Sequence, residues 1–378
     1  MTKRRIVFLT GTRADFGKLK SLINITQSCT DFEVHIFATG MHINSKYGKT
    51  VDEITKAGFK NIYQYINHDT IENMDRTLAK TIDGFSHYIA EVKPDLIVVH
   101  GDRVEALAGA IVGSINNILV AHIEGGEISG TIDELIRHAV SKMSHIHFVA
   151  NEEAKGRLIQ LGEKPSSIFV IGSPDLDLMN PSNLPSLYKV KTYYGIEFED
   201  YSIAMFHPVT TEYEYIREYA SQFVEALIQS GKNYVVIFPN NDLGSNEILS
   251  EFKRIENNPR FKVFPSLRFE YFLTLLKESD YIIGNSSAGV REAPYYNVPT
   301  VDIGSRQHNR VSLKSIINCD YQVASILCAI KEIEALGPSK EAVDSDYFGS
   351  GESDKLFFQL LQSSEVWDIE HQKQFQEI

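Results

Sequence analysis

The sequence predicts an α/β protein built from two doubly wound parallel sheets. Three observations carry that prediction. Over 96–147 the chain reads LIVVHGDRVEALAGAIVGSINNILVAHIEGGEISGTIDELIRHAVSKMSHIH. Short apolar runs alternate there with helical patterns, as parallel strands joined by crossover helices require. The alternation continues over all 378 residues, more than one hydrophobic core ordinarily serves. Finally, Asp102, Arg103, Glu124 and Asp133 fall just past apolar runs or in the first turn of the next helix. Open α/β sheets bind ligands outside the carboxyl ends of their strands.

Taken in order, the β-branched and aromatic run at 5–9 predicts the first strand. Gly11 and Gly17 flank a turn into a helix over 17–28. The turn lacks the GxGxxG spacing of a dinucleotide site. With Arg13 and Lys18 beside it, it can hold an anion at a helix start; a plain strand-to-helix turn is the alternative. Strands follow at 33–39 and 61–66, with helices at 45–58 and 75–92; Pro94 ends the latter. The segment 96–147 then contributes strands at 96–100 and 118–123 and helices at 105–115 and 131–143. A strand at 146–150, a helix at 151–161 and a strand at 168–171 complete the first half. NPSNLP (180–185) is polar, short and proline-containing, as a linker should be. The second half repeats the alternation, with strands at 201–206, 234–238, 261–264, 281–283 and 300–303. Its helices are expected at 214–230, 249–257, 268–278, from about 289, and at 321–336. The Gly/Ser/Asp-rich segment 345–353 reads as a loop, and 354–363 and 365–375 as terminal helices. No internal repeat or low-complexity tract is visible.

Composition narrows the function. Lys plus Arg number 37 and Asp plus Glu 50, a formal net charge of −13. That argues against nucleic acid or an anionic membrane as partner, though local arginines and helix N-termini can still attract a small anion. The apolar run after the basic start is too short for a signal peptide, and no stretch approaches the roughly 20 apolar residues of a membrane span. A cytoplasmic protein is expected. The three cysteines, Cys29, Cys319 and Cys328, are far apart, which predicts free thiols and no metal site.

Two constellations can carry chemistry. In GNSSAGVREA (284–293) small residues and two hydroxyls, Ser286 and Ser287, lie between a strand and a helix start. Main-chain N–H groups and about half a positive charge at the helix end suit a pyrophosphate. Glu292 sits too near for phosphate and suits a ribose diol; the alternative is that it merely complements its own helix. Arg306, after a neighbouring strand, can meet the same anion, and His207, fixed by Pro208, ends a strand of the same sheet. The second constellation is Asp102, Glu124 and Asp133. The 22 positions from Asp102 to Glu124 equal one strand–helix–strand crossover, so adjacent strand ends bring both carboxylates together. Clustered carboxylates suit proton transfer, with Arg103 and Arg137 moderating the charge. Helix capping by Asp102 or Asp133 is the alternative. The histidines His100, His122, His138, His145 and His147 lack zinc spacing; buried, hydrogen-bonded rings account for His145 and His147.

GTRADFGKL (11–19), HGDRVEAL (100–107), HIEGGEISGTIDELIRH (122–138), HPVTT (207–211), GNSSAGVREA (284–293) and GSRQ (304–307) resemble the UDP-N-acetylglucosamine 2-epimerase family, and its hydrolysing branch in particular. The resemblance spans nearly the whole chain. It implies a GT-B architecture, two Rossmann-like domains with the sugar nucleotide in the cleft between them. Residues 1–180 would form the first domain, 181–353 the UDP-binding second, and 354–378 would cross back to the first. The resemblance further implies that Arg13, Arg103, His207, Ser286, Ser287, Glu292 and Arg306 hold UDP, with Glu292 on the ribose. Phe272 and Asn240 would lie near uracil, and Asp102, Glu124 and Asp133 would be the acid/base carboxylates. Gly17 stands where some relatives carry a serine, which puts one hydroxyl contact in doubt.

The implied activity needs no cofactor. It converts UDP-N-acetylglucosamine and water to UDP and N-acetylmannosamine for sialic acid synthesis, through a 2-acetamidoglucal. The nearest rival is the same reaction on UDP-2,4-diacetamido-2,4,6-trideoxyglucose. A non-hydrolysing epimerase, a GT-B glycosyltransferase and a non-catalytic UDP-sugar sensor stand further off. A homodimer or dimer of dimers is the implied assembly.

Overall fold

The computed structural model describes residues 3–44, 50–68, 73–129, 131–179, 181, 184–307, 313–336, 349 and 351–377. The chain divides into two compact units. One comprises Met1–Glu127, Asp133–Asn180 and Asp346–Ile378, the other Ile128–Ile132 and Pro181–Ser345.

The first unit begins with β1 (Arg4–Thr10), α1 (Arg13–Gln27), β2 (Phe32–Ala38), α2 (Val51–Lys56), β3 (Ile62–Gln64) and α3 (Met74–Val92). It continues with β4 (Leu96–His100), α4 (Val104–Ile115), β5 (Leu119–Ile123), α5 (Ile132–Met143), β6 (Ile146–Val149), α6 (Glu152–Gln160), β7 (Ile168–Val170) and α7 (Pro174–Met179). The seven strands run parallel in the order β3-β2-β1-β4-β5-β6-β7. Every residue of β4 and β5 is buried, because crossover helices cover both faces of a parallel sheet. That is why these strands read as unbroken apolar runs.

The second unit holds α8 (Leu187–Tyr194), β8 (Ser202–Met205), α9 (Ile216–Ser230), β9 (Tyr234–Ile237), α10 (Ser245–Phe252) and β10 (Phe261–Phe264). Next come α11 (Phe269–Lys277), β11 (Ile282–Gly284), α12 (Glu292–Tyr295), β12 (Thr300–Ile303), β13 (Ile316–Cys319) and α13 (Val323–Leu336). Its six strands are parallel in the order β10-β9-β8-β11-β12-β13. Each sheet therefore reverses its strand order once, between β1 and β4 and between β8 and β11. After the second unit α14 (Ser353–Gln362) belongs again to the first. The Asp177 carboxylate of α7 caps it, accepting from the Ser353 and Asp354 N–H groups at 2.9 and 3.0 Å, and Phe357 packs on Phe8 and Phe148.

Several expected elements differ. Helix α1 starts four residues before the predicted 17, and Gly17 lies inside it, so Gly17 flanks no turn. Thr12 and Asp15 form a capping box, which satisfies two N–H groups and starts the helix at Arg13. Strand β13 was missing from the expectation. It is a partly exposed edge strand, and its sequence, IINC, lacks both an apolar run and an alternation. Residues 365–375 form no helix: the chain turns at 365–368 and then extends. The Lys373 ammonium there donates to the Ser144 carbonyl and the Glu163 carboxylate, both at 2.6 Å, and His145 Nε2 pairs with the His371 carbonyl at 2.9 Å. Tertiary partners override the segment's local helix propensity. Asn180, Ser182 and Asn183 of the expected linker lie outside the described residues, as do 45–49 of the helix expected at 45–58 and most of the loop at 345–353.

Candidate active site

Most of the candidate residues fall on the carboxyl edges of the two sheets. In the first unit Asp102 and Arg103 follow β4, and Glu124 follows β5. These strands are parallel neighbours, with His100 opposite Ile123. Neighbouring strands lie about 4.8 Å apart, so Asp102 and Glu124 follow adjacent strands, as one crossover requires. Asp102 does not cap α4, whose N-cap is Arg103 with no side-chain bond. Its carboxylate instead pairs with the Arg137 guanidinium, which is buried and also donates to the Glu127 carbonyl at 3.1 Å. Arg137 lies one turn beyond Asp133 on α5, which puts Asp133, in the first turn, on the same helix face.

Glu124 is 4% exposed and adopts φ +64°, a left-handed conformation that costs a side-chain-bearing residue about 1–3 kcal/mol. Its N–H still reaches the Phe148 carbonyl at 2.9 Å, and the kink turns the carboxylate into a polar nest. His100 Nε2 lies 3.1 Å away, the Ser173 hydroxyl donates at 2.5 Å, and the Lys18 ammonium lies 3.6 Å away. Lys18 also pairs with Asp175 at 2.8 Å. Lys18 is thus set among carboxylates, a placement its spacing beside the Gly11 loop did not reveal. Arg13 begins α1 and lies 4.0 Å from Glu53.

Two buried histidines brace this edge. His122 Nε2 pairs with the Gly101 carbonyl at 2.8 Å and Nδ1 with Ser141 at 3.0 Å. Burial holds it at about 3, well below an ordinary histidine. His42 lies between Thr10 and Thr50, at 3.0 and 2.6 Å, and burial lowers it to about 4. Both rings are neutral near pH 7 and act as hydrogen-bonding struts for the loops after β4 and β2. His145 and His147 are buried and hydrogen-bonded as well.

The second unit's edge is built on amide and hydroxyl groups. Asn285, fully buried after β11, accepts the His207 N–H at 2.6 Å and donates to the His207 carbonyl at 2.8 Å. Its own carbonyl receives Arg306 at 3.2 Å and Gln307 at 2.9 Å. One residue thereby ties the loops after β8, β11 and β12 together. His207 Nδ1 accepts the Asn240 N–H at 3.0 Å, which places a ring proton on Nε2. Gly284 adopts φ +133°, and a Cβ there would stand 1.9 Å from the Met205 carbonyl oxygen. Only glycine lets β11 enter this loop.

The helix expected after Ser286 is shorter than its sequence suggested. Ser286 caps a 3-10 turn at Ser287–Gly289, and α12 has four residues. The half-charge of a full helix end therefore does not apply here. The turn engages the N–H groups of Ala288, Gly289, Val290 and Arg291, leaving the main-chain donors of Ser286 and Ser287 outside its own bonding. Glu292, in the first turn of α12, is buried. Phe272 lies on the buried face of α11 beside Phe269. Among the described residues no three His, Cys, Asp or Glu side chains are grouped to hold a metal ion.

A family model for UDP-N-acetylglucosamine 2-epimerase matches residues 25–362. The chain belongs to the UDP-N-acetylglucosamine 2-epimerase family. It is 48% identical over 375 residues to a UDP-N-acetylglucosamine 2-epimerase of Neisseria meningitidis, covering 98% of each chain. It is 34% identical to the hydrolyzing UDP-N,N'-diacetylbacillosamine 2-epimerase of Legionella pneumophila, covering 95% of this chain and 96% of that one. Its fold matches the Methanocaldococcus jannaschii UDP-GlcNAc 2-epimerase, solved with UDP-GlcNAc and UDP, at TM-score 0.80 and 22% identity, over 95% and 99% of the two chains. Two parallel-sheet, Rossmann-like units of GT-B type are thus the fold of this epimerase-family chain.

Sequence reasoning passed over Asn285 and Ser173 as site residues, whereas Arg137 was expected beside the carboxylates and Lys18 beside an anion at the Gly11 turn. Asn285 stood inside a motif already singled out, and its place between Gly284 and two serines was the available signal. Ser173 is 49 positions from the carboxylate it touches, and only the folded sheet brings it there.

Proposed function

We propose that the protein is a hydrolysing 2-epimerase that converts UDP-N-acetylglucosamine and water to UDP and N-acetylmannosamine. The observation that carries this reading is the pair of carboxylates on adjacent strand ends, Asp102 held by Arg137 and Glu124 ringed by His100, Ser173 and Lys18. Proton removal next to a departing diphosphate needs such groups, fixed and shielded from water. The Legionella relative, named as hydrolyzing, supports release of free sugar over a nucleotide-linked product.

In this reading Arg13, Arg103, His207, Ser286, Ser287 and Arg306 hold the diphosphate, Glu292 takes the ribose diol, and Asn240 and Phe272 flank the uracil. One carboxylate among Asp102, Glu124 and Asp133 removes the C2 proton as the C1–O bond to UDP breaks. The electron pair of the C–H bond becomes the C1–C2 double bond of 2-acetamidoglucal. His207 and Arg306 stabilise the charge developing on UDP. Water then adds at C1, and a carboxylic acid returns a proton to C2 from the opposite face. Two positions of proton transfer require more than one carboxylate.

Proton NMR of the purified protein with UDP-N-acetylglucosamine in D2O tests the proposal. The expected products are UDP and N-acetylmannosamine deuterated at C2. Deuterated UDP-N-acetylmannosamine would instead establish the non-hydrolysing reaction. Turnover of UDP-2,4-diacetamido-2,4,6-trideoxyglucose alone would move the substrate to that sugar, and inertness toward both would refute catalysis.

A further inference from the structure

Glu105 is the most deeply buried carboxylate at the first sheet's carboxyl edge, 1% exposed in the first turn of α4. It is absent from the machinery described above. A buried carboxylate needs a compensating charge and hydrogen bonds. Among the described residues the cation within ion-pair range of Glu105 is Arg103, with Nε 3.6 Å from Oε2. Oε1 takes the Asn67 amide at 3.5 Å, while Oε2 accepts no hydrogen bond. Asn67 is itself fixed, since it receives the Gly40 N–H at 3.0 Å and donates to Thr81 at 2.9 Å.

The surrounding loops are cut to fit this carboxylate. A Cβ at Gly11 would stand 3.0 Å from Glu105 Cδ, and a Cβ at Gly40 would stand 2.6 Å from Oε1. Gly40 also has φ +60°, which favours glycine independently. The loops after β1, β2 and β4 therefore close around one buried side chain. A residue serving only to fill that space need not be charged, and an apolar side chain would avoid the burial penalty.

We propose that Glu105 is a positioning residue for Arg103, aiming its guanidinium at the diphosphate of the bound sugar nucleotide. The assignment of a sugar nucleotide to this edge rests on the function proposed above. Because Arg103 would bind substrate and transition state alike, losing its tether raises KM and spares kcat.

The test uses the full chain. Glu105→Gln, which keeps volume and removes charge, is expected to raise KM for UDP-N-acetylglucosamine about tenfold with kcat within about twofold. In an Arg103→Met background the same change should add no further rise, because coupled residues are not additive. A readout independent of substrate is the Nε–H resonance of Arg103 in protein labelled with 15N-arginine, identified by its loss in Arg103→Lys; Glu105→Gln should shift it. If Glu105→Gln does not fold, melting carries the test: Arg103→Met should lower the midpoint, and adding Glu105→Gln should restore it. An unmoved resonance, an equal KM rise in both backgrounds, or no restoration would overturn the proposal. A wild-type protein that turns over no UDP-sugar, while the resonance still shifts, would sink the proposed function and leave the Arg103 tether standing.

Discussion

The two sheets present opposite chemistry at their carboxyl edges. The first edge gathers ionisable groups: Asp102 on buried Arg137, and buried Glu124 among His100, Lys18 and Ser173. The second is knit by neutral groups, with Asn285 holding His207, Arg306 and Gln307 in place. Under the proposed function, the carboxylates that change protonation must be held by charge, and the second edge's groups need only be aimed at a diphosphate. Backbone strain follows the same division. Glu124, a side-chain-bearing residue, is forced into the left-handed region at the first edge, whereas at the second edge that conformation is left to Gly284 and Gly304.

The sharpest way to break this contrast is Asp102→Asn. It is expected to lower turnover of UDP-N-acetylglucosamine by about 10³-fold, within the range assigned to a positioned acid or base, in an assay of UDP release; Asp133→Asn should behave alike. Next in size, Asn285→Ala should weaken UDP binding by about tenfold to a hundredfold, since it unpairs the buried N–H and carbonyl of His207 at a cost of about 1–3 kcal/mol. Isothermal titration with UDP checks this, and unchanged affinity would show that the second edge is not held by Asn285.

A third prediction lies away from both edges. Lys373 pairs with buried Glu163 and caps α5 through the Ser141, Lys142 and Ser144 carbonyls. Lys373→Met should cost about 1–3 kcal/mol of stability by leaving the buried Glu163 carboxylate to His147 and Lys142, seen as a lower urea midpoint. A wild-type midpoint would mean that the tail contributes nothing to the first unit.

A further effect is graded with pH. His42 and His122 are held neutral by burial, at about 4 and about 3 against 6.5 for the free group. Their folded values are depressed, so the unfolded chain takes up protons first as pH falls below about 6.5, and stability drops. Each contributes a loss of about 2 kcal/mol by about pH 5, at 1.36 kcal/mol per unit. Urea unfolding at about pH 7 and about pH 5 measures it; equal stability at both would remove the strut role of these rings.

The sheets were legible because parallel strands buried on both faces must be apolar, and Gly101, Gly125 and Gly284 mark where they stop. Asp102 and Glu124 could be paired from their spacing because one crossover returns the chain to the neighbouring strand. Arg137 was expected beside the carboxylates and meets Asp102, but Ser173 and Asn285 were not legible as partners, since their contacts arise only when distant strand ends assemble. The helix start expected near 289 and the helix expected at 365–375 failed for a related reason. Local propensity was favourable, but Ser286 closed a tighter turn, and Lys373 and His371 found partners on the first unit.

The measurement that bears most directly on the division between the edges compares Asp102→Asn with Asn285→Ala, each by UDP titration and by C2 proton exchange at saturating UDP-N-acetylglucosamine in D2O. Asp102→Asn should bind UDP as the wild type does and exchange no C2 proton, while Asn285→Ala should bind poorly and still exchange once saturated. Parallel loss of binding and exchange in both variants would contradict the account.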